Sequence, residues 1–86
     1  MPYIKDVDRI KVRSTLAPNN AGELNYLITE ILLEYLYRNG PPKYQDYNDA
    51  IGVLSASSME LYRRSAAPYE DLKIKENGDV YPKTAM

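Results

Sequence analysis

The sequence predicts a mainly α-helical fold, a small three-helix domain built around an antiparallel hairpin of helices. Apolar residues recur at helical spacing in three segments, at about 6–16, 21–38 and 46–66. Prolines and an Asn-Gly pair separate these segments. At 86 residues and without an internal repeat, the chain is expected to form a single domain over residues 1–86.

The first predicted helix covers about residues 6–16. Asp6 is a candidate N-cap, because its carboxylate can accept a hydrogen bond from an early backbone N–H. Val7 and Ile10 fall on one face of this helix. Pro18 ends it, because proline disfavours the helical conformation of the residue before it. We expect this helix to pack across the other two.

The second predicted helix, about 21–38, has the clearest start signal. Asn20 and Glu23 have the spacing of a capping box, and Asn39-Gly40 can form a left-handed C-terminal cap. Apolar residues cover most of its circumference: Leu24, Leu27, Ile28, Ile31, Leu32, Leu33, Tyr35 and Leu36. This width is typical of a central helix or of a helix with one side in a subunit interface.

The third predicted helix covers about residues 46–66. One apolar seam has heptad-like steps of four and three residues, formed by Tyr47, Ile51, Leu54, Ser58 and Leu61. This spacing favours shallow packing against the second helix, which completes the antiparallel hairpin. Gly52 lies inside the helix, where glycine costs about 1 kcal/mol relative to alanine. We therefore expect another backbone to approach Gly52 closely.

After Pro68, which breaks or kinks the third helix, two interpretations of the tail (69–86) are open. Apolar and charged residues alternate around Asn77-Gly78, a pair that favours a two-residue hairpin turn. This alternation predicts a short C-terminal β-hairpin or extended tail, and we favour it. The other interpretation is a short helix with Pro68 at its first position and Gly78 just past its end.

Composition excludes several classes of chemistry. The chain contains no His and no Cys, which rules out Ser-His-Asp triads, Cys-His pairs, zinc fingers and thiol redox sites. A net charge of −1 speaks against a dedicated nucleic-acid-binding protein. Without cysteines, a signal peptide or an apolar stretch long enough to span a bilayer, we expect a cytoplasmic protein with no membrane partner. No cofactor is expected.

Four carboxylates raise the hypothesis of a magnesium site, since Mg²⁺ takes oxygen ligands. They form two pairs at helical spacing on the second and third helices: Glu30, Glu34, Asp46 and Asp49. The favoured interpretation is a solvated helix face, because Glu34 has Arg38 as its i,i+4 partner. A Mg²⁺-dependent nucleotide hydrolase that uses these carboxylates stays an alternative.

A second candidate site lies at the end of the third helix. Its residues are Tyr62, Arg63, Arg64, Tyr69 and Glu70. Guanidinium and hydroxyl groups can bind a phosphate or a partner's carboxylate. We favour a structural interpretation, in which Glu60, Glu70 and Asp71 pair with the two arginines and hold the tail on the helix.

Tyrosine supplies all the aromatic surface of the chain, with nine Tyr and no Phe or Trp. A ring with a polar tip suits core margins and protein interfaces. The candidate interface residues combine tyrosine, apolar and small side chains: Tyr26, Leu33, Tyr37, Gly52 and Ala56. The apolar helix surface exceeds what three short helices can cover, which indicates a homodimer.

Several strings together resemble a family of small proteins from phages, prophages and bacteria with no assigned activity. These strings occupy residues 1–4, 8–9, 22–29, 50–54, 60–64 and 67–81. The most specific is the C-terminal pattern ELYRR..APYED.KIKENGDVY. The resemblance implies a phage-type origin and a common fold, and it implies no catalytic residue.

The function expected from the sequence is that of a non-enzymatic interaction module that binds a second copy of itself or another phage or bacterial protein. The magnesium hydrolase is one alternative. The other is a weak nucleic-acid-associated accessory protein that uses Lys11, Arg13, Arg63 and Arg64.

Overall fold

The computed structural model describes residues 2–83 of the chain. Its elements are helices α1 (Asp6–Thr15), α2 (Ala21–Leu36) and α3 (Tyr44–Leu61), a π-helix (Tyr62–Ala66) and helix α4 (Ala67–Asn77). The predicted mainly helical class is confirmed. Contacts divide the chain into two compact units, Met1–Ala50 and Ile51–Met86, so the single domain stays a prediction.

The first unit has a small core between α1 and α2, which pack against each other. Val12 is 0% exposed and contacts Tyr26 and Leu27 in this core, with Ile4 packed beside them. The Arg9 guanidinium donates a 2.8 Å hydrogen bond to the Ile4 carbonyl, which holds the N-terminal segment next to α1. The expected packing of the first helix is therefore observed against α2.

The cap predicted for α1 is wrong. Lys5 occupies the N-cap position without a side-chain hydrogen bond, and Asp6 is already helical. Asp6 lies 3.8 Å from Arg9 in an i,i+3 ion pair. A carboxylate in the first turn also suits the positive end of the helix dipole, so Asp6 stabilises the helix without capping it.

The cap predicted for α2 is confirmed, with one change of partner. The Glu23 N–H donates to Asn20 Oδ1 at 2.9 Å. The Glu23 carboxylate accepts from the Asn19 N–H at 3.0 Å and from Asn20 Nδ2 at 3.3 Å, where the capping box predicts the Asn20 N–H. Glu23 is buried with these partners, so a charged residue can lie near the core.

The loop between α2 and α3 is closed by Asp46. Its carboxylate accepts from the Lys43 N–H at 2.9 Å and from Arg38 Nη2 at 3.1 Å. The first bond satisfies a backbone donor at the helix start, which lets α3 begin at Tyr44, earlier than predicted. The helix contacts of residues 2–83 do not include α2 with α3. Their antiparallel hairpin stays a prediction.

In the second unit, the predicted C-terminal β-hairpin is wrong, because α4 occupies this part of the chain and the described residues form no strand. Helical backbone continues through Pro68, which lies in the first turn of α4 and needs no N–H there. Just before it, the Ala67 N–H donates to the Tyr62 carbonyl across the π-helix.

The other interpretation of this segment, a short helix with Pro68 at its start, is confirmed. Gly78 ends α4 with φ +89°, a conformation that glycine adopts without strain. Its N–H donates to the Ile74 carbonyl at 2.8 Å. The Asn-Gly pair therefore forms a helix end and not a hairpin turn. Within residues 2–83, the helices are too short or too polar to cross a membrane.

Candidate interaction surface

The most unusual feature of the described structure is an uncharged stretch of α3. Residues 51–59 carry no charged side chain, and each of them is exposed. A helix exposed on all sides is expected to present charged and polar groups to water, because only a buried face favours apolar ones. Within residues 2–83 of a single copy, no element covers this part of α3, although its composition predicts a buried helix. We call residues 51–59 the uncharged segment.

Gly52 lies in the uncharged segment, where the structure shows open space around it. A Cβ built at this position has no heavy atom of residues 2–83 within 4 Å, apart from its own helix backbone and chain neighbours. The sequence predicts a close backbone approach here, and the described residues do not supply one. Ala56, one turn further along, is also exposed. The cost of an interior glycine, about 1 kcal/mol, is therefore not offset within one chain.

The uncharged segment has two apolar faces, given about 100° per residue. Ile51 and Leu54 continue towards Leu61 on the predicted seam, and all three are exposed. Val53 and Met59 lie on the other side, with exposed fractions of 61% and 66%. The second face also contains the two small residues, Gly52 and Ala56. Both faces are open to solvent in a single chain.

The remaining predicted interface residues lie on α2 and at its end. Leu33 and Tyr37 are exposed, as residues that contact a second copy must be. Tyr26 is only 6% exposed, and burial raises the pKa of its hydroxyl. Because Tyr26 packs in the core with Val12, it is not available to a partner, and the prediction for this residue is corrected.

Four of the five predicted binding residues near the π-helix pair with side chains of the same helical stretch. Glu60 accepts from Arg63 at 3.0 Å and lies 3.8 Å from Arg64. The Tyr62 hydroxyl donates to Glu70 at 2.5 Å, and this hydrogen bond raises the pKa of Tyr62. These pairs agree with a structural role, although Glu70 holds a tyrosine where an arginine was expected.

The other predicted binding residue, Tyr69, is exposed, with the Lys73 ammonium 5.6 Å from its ring centre. A groove of about 570 Å³ runs along α4. Its lining includes Tyr62, Glu70, Asp71, Ile74, Val80 and Tyr81. Arg63 and Arg64 do not line it, so the structure does not gather the five predicted binding residues into one anion site.

The four predicted magnesium ligands are not brought together. The Asp46 carboxylate accepts hydrogen bonds from the backbone N–H of Lys43 and from the Arg38 guanidinium. These two bonds hold the pKa of its carboxyl below the ordinary value of 3.8. Asp49 accepts a 2.7 Å hydrogen bond from Gln45. Across residues 2–83, no three acidic side chains converge in a way that could hold a metal ion.

Sequence reasoning missed two features of this region. The first is the π-helix, whose only sequence signal is a proline within a helix-forming segment. The second is the complete exposure of the uncharged segment. Its lack of charge is visible in the sequence over nine residues, but a buried central helix has the same signal.

Comparison with known proteins gives one match. The model of a protein family described as "Domain of unknown function (DUF6899)" matches residues 1–80. No curated protein and no solved structure matches the chain.

Proposed function

The chain belongs to the DUF6899 family, whose description assigns no function, and we propose that it is an interaction module that acts by binding a second copy of itself. The uncharged segment of α3, residues 51–59, forms the centre of the contact. The observation that carries the proposal is the exposure of all nine of these residues on a helix without a single charge among them.

Gly52 gives the proposal independent support. A glycine inside a helix is tolerated where another backbone comes close, and no atom of residues 2–83 does so. A second helix that lies against Gly52 and Ala56 would meet no bulky side chain at either position. The interior glycine then has a physical reason, which a single copy does not give it.

The lack of charge favours a second copy over a brief encounter. Obligate homodimer interfaces are the more apolar class, which agrees with a contact centre that lacks charged residues.

The proposal includes no catalytic step. A phage or prophage setting, which the resemblance implies, agrees with a small protein that assembles with copies of itself. Another protein on the same surface is the competing occupant, and it predicts a monomer when the chain is studied alone.

Gel filtration with light scattering on matched variants tests the proposal. Val53→Asp adds a charge to the uncharged segment, and Val7→Asp makes the same change at a similarly exposed residue, 69% against 61%, on α1. The wild type and Val7→Asp are expected at twice the chain mass of 9.8 kDa, and Val53→Asp near the single mass. A monomeric wild type, or equal masses for the two variants, would contradict the proposal.

A further inference from the structure

We infer that the second copy lies antiparallel to the first along α3, about a two-fold axis beside Ala56, with Asp49 of each copy facing Arg63 of the other. The inference rests on the proposed function and adds to it the orientation of the partner and the residues that fix this orientation.

The face of α3 that contains Ala56 has small and apolar residues at its centre and charges at both ends. At about 100° per residue, the α3 residues within about 60° of Ala56 are Asp49, Gly52, Val53, Met59 and Glu60. Arg63 follows α3 as the second residue of the π-helix and belongs to the same side. The 3.0 Å contact between Arg63 and Glu60 places the Arg63 side chain on this side of the helix. We call these residues, with Ala56, the Ala56 face.

Two of the three counterpart pairs of the Ala56 face match about its centre, one in size and one in charge, while the third places the small Gly52 opposite the longer Glu60. Val53 and Met59 lie three residues before and after Ala56, and Asp49 and Arg63 lie seven before and after. A two-fold axis at Ala56 places each residue opposite its counterpart on the other copy. Val53 then meets Met59, and an acid meets a base at both ends of the contact.

A parallel arrangement places the same residues against each other. Asp49 then faces Asp49 of the other copy, and Arg63 faces Arg63. These two like-charge contacts lie about 21 Å from each other along the helix. Like charges across an interface oppose association, whereas opposite charges select the register. The signs at the two ends of the uncharged segment therefore favour the antiparallel orientation.

The contacts that Asp49 and Arg63 make within one chain do not prevent this pairing. Asp49 accepts from Gln45 through Oδ1, and Arg63 donates to Glu60 through Nη2. A carboxylate can accept at two oxygens, and a guanidinium has five N–H donors. Both residues are exposed, so a facing side chain can reach them.

A charge-swap cycle tests the orientation by sedimentation equilibrium at low salt. Asp49→Lys and Arg63→Glu each place like charges at both ends of the antiparallel contact, so each is expected to weaken association by about five-fold or more. The double variant restores opposite charges and is expected within about two-fold of the wild type. Lys75→Glu, outside the Ala56 face, is the control and is expected to leave association unchanged.

The cycle separates the two claims. A wild type that is monomeric overturns the proposed function. A wild type that self-associates, with a double variant no better than the weaker single variant, overturns only the antiparallel orientation, because a parallel pair keeps like charges facing in every combination.

Disulfide cross-linking gives a second measurement that does not depend on the charge variants. The chain has no cysteine, so Val53→Cys and Met59→Cys introduce single thiols. On oxidation, the antiparallel pair links the two variants to each other when they are mixed, and neither variant links to itself. Self-linked products from each variant alone would overturn the inference.

Discussion

The Tyr62 hydroxyl donates a 2.5 Å hydrogen bond to the Glu70 carboxylate, eight residues further along the same helical stretch. The bond spans the π-helix and the first turn of α4, which contains Pro68. It links the residues on the two sides of Pro68, whose backbone has no N–H to donate. The pair stabilises the passage from the π-helix into α4.

Tyr62→Phe removes only the hydroxyl of this pair. Because both side chains are exposed, we expect a small fall in the free energy of unfolding. Urea unfolding followed by circular dichroism measures the change. Tyr69→Phe, which removes a hydroxyl from an exposed ring on α4, is the control. Equal effects of the two substitutions would count against the Tyr62–Glu70 contact.

The core between α1 and α2 depends on Val12. We expect Val12→Ala to lower the free energy of unfolding by about 1–3 kcal/mol, because it removes buried methyl groups and leaves a cavity. Val7→Ala on the same helix, at an exposed position, is expected to change it by less than about 0.5 kcal/mol. Thermal unfolding of the two variants in parallel checks this, and similar losses would show that the core is elsewhere.

Asp46 makes the closure of the α2–α3 loop sensitive to acid. The Lys43 N–H and the Arg38 guanidinium lower the pKa of its carboxyl below 3.8 in the folded chain. A lowered pKa gives a stabilisation that is present above 3.8 and is lost as the pH falls through the folded-state pKa. The stability difference between wild type and Asp46→Asn should be constant near neutral pH and shrink below about pH 4. A difference that is unchanged at acid pH would contradict this.

Gly52→Ala has opposite expected effects on one chain and on the pair. The added methyl group meets no atom in the described part of its own chain and removes the entropic cost of glycine, so the helix should gain about 1 kcal/mol. Association should weaken, because the methyl group keeps the two backbones apart. Asn48→Ala, at an exposed position of α3 outside the uncharged segment and the Ala56 face, should stabilise the helix without weakening association. Tighter association of Gly52→Ala would show that no backbone lies against Gly52.

The sequence predicts local structure well where a side chain acts on its own helix. The Asn20–Glu23 cap follows from side-chain spacing alone, and so does the choice of helix for most of the chain. The predicted C-terminal β-hairpin is wrong because Asn77-Gly78 favours a hairpin turn and a helix end alike. The outcome depends on Pro68, since a π-helix before it allows the helical backbone to continue.

The candidate site was predicted less completely, for a different reason. Apolar spacing identifies the faces of a helix but not the element that covers each face. Tyr26 and Leu33 both belong to the apolar and tyrosine positions of α2, yet Tyr26 is buried in the core and Leu33 is exposed. Whether a residue packs within its own chain depends on long-range contacts, and the sequence of one helix does not predict these.

Sedimentation equilibrium of the wild-type chain over a range of concentrations tests the central claim most directly. If a second copy covers the uncharged segment, the mass is twice 9.8 kDa at micromolar concentrations and falls towards 9.8 kDa only on dilution. A mass of 9.8 kDa that is constant up to tens of micromolar would contradict the account.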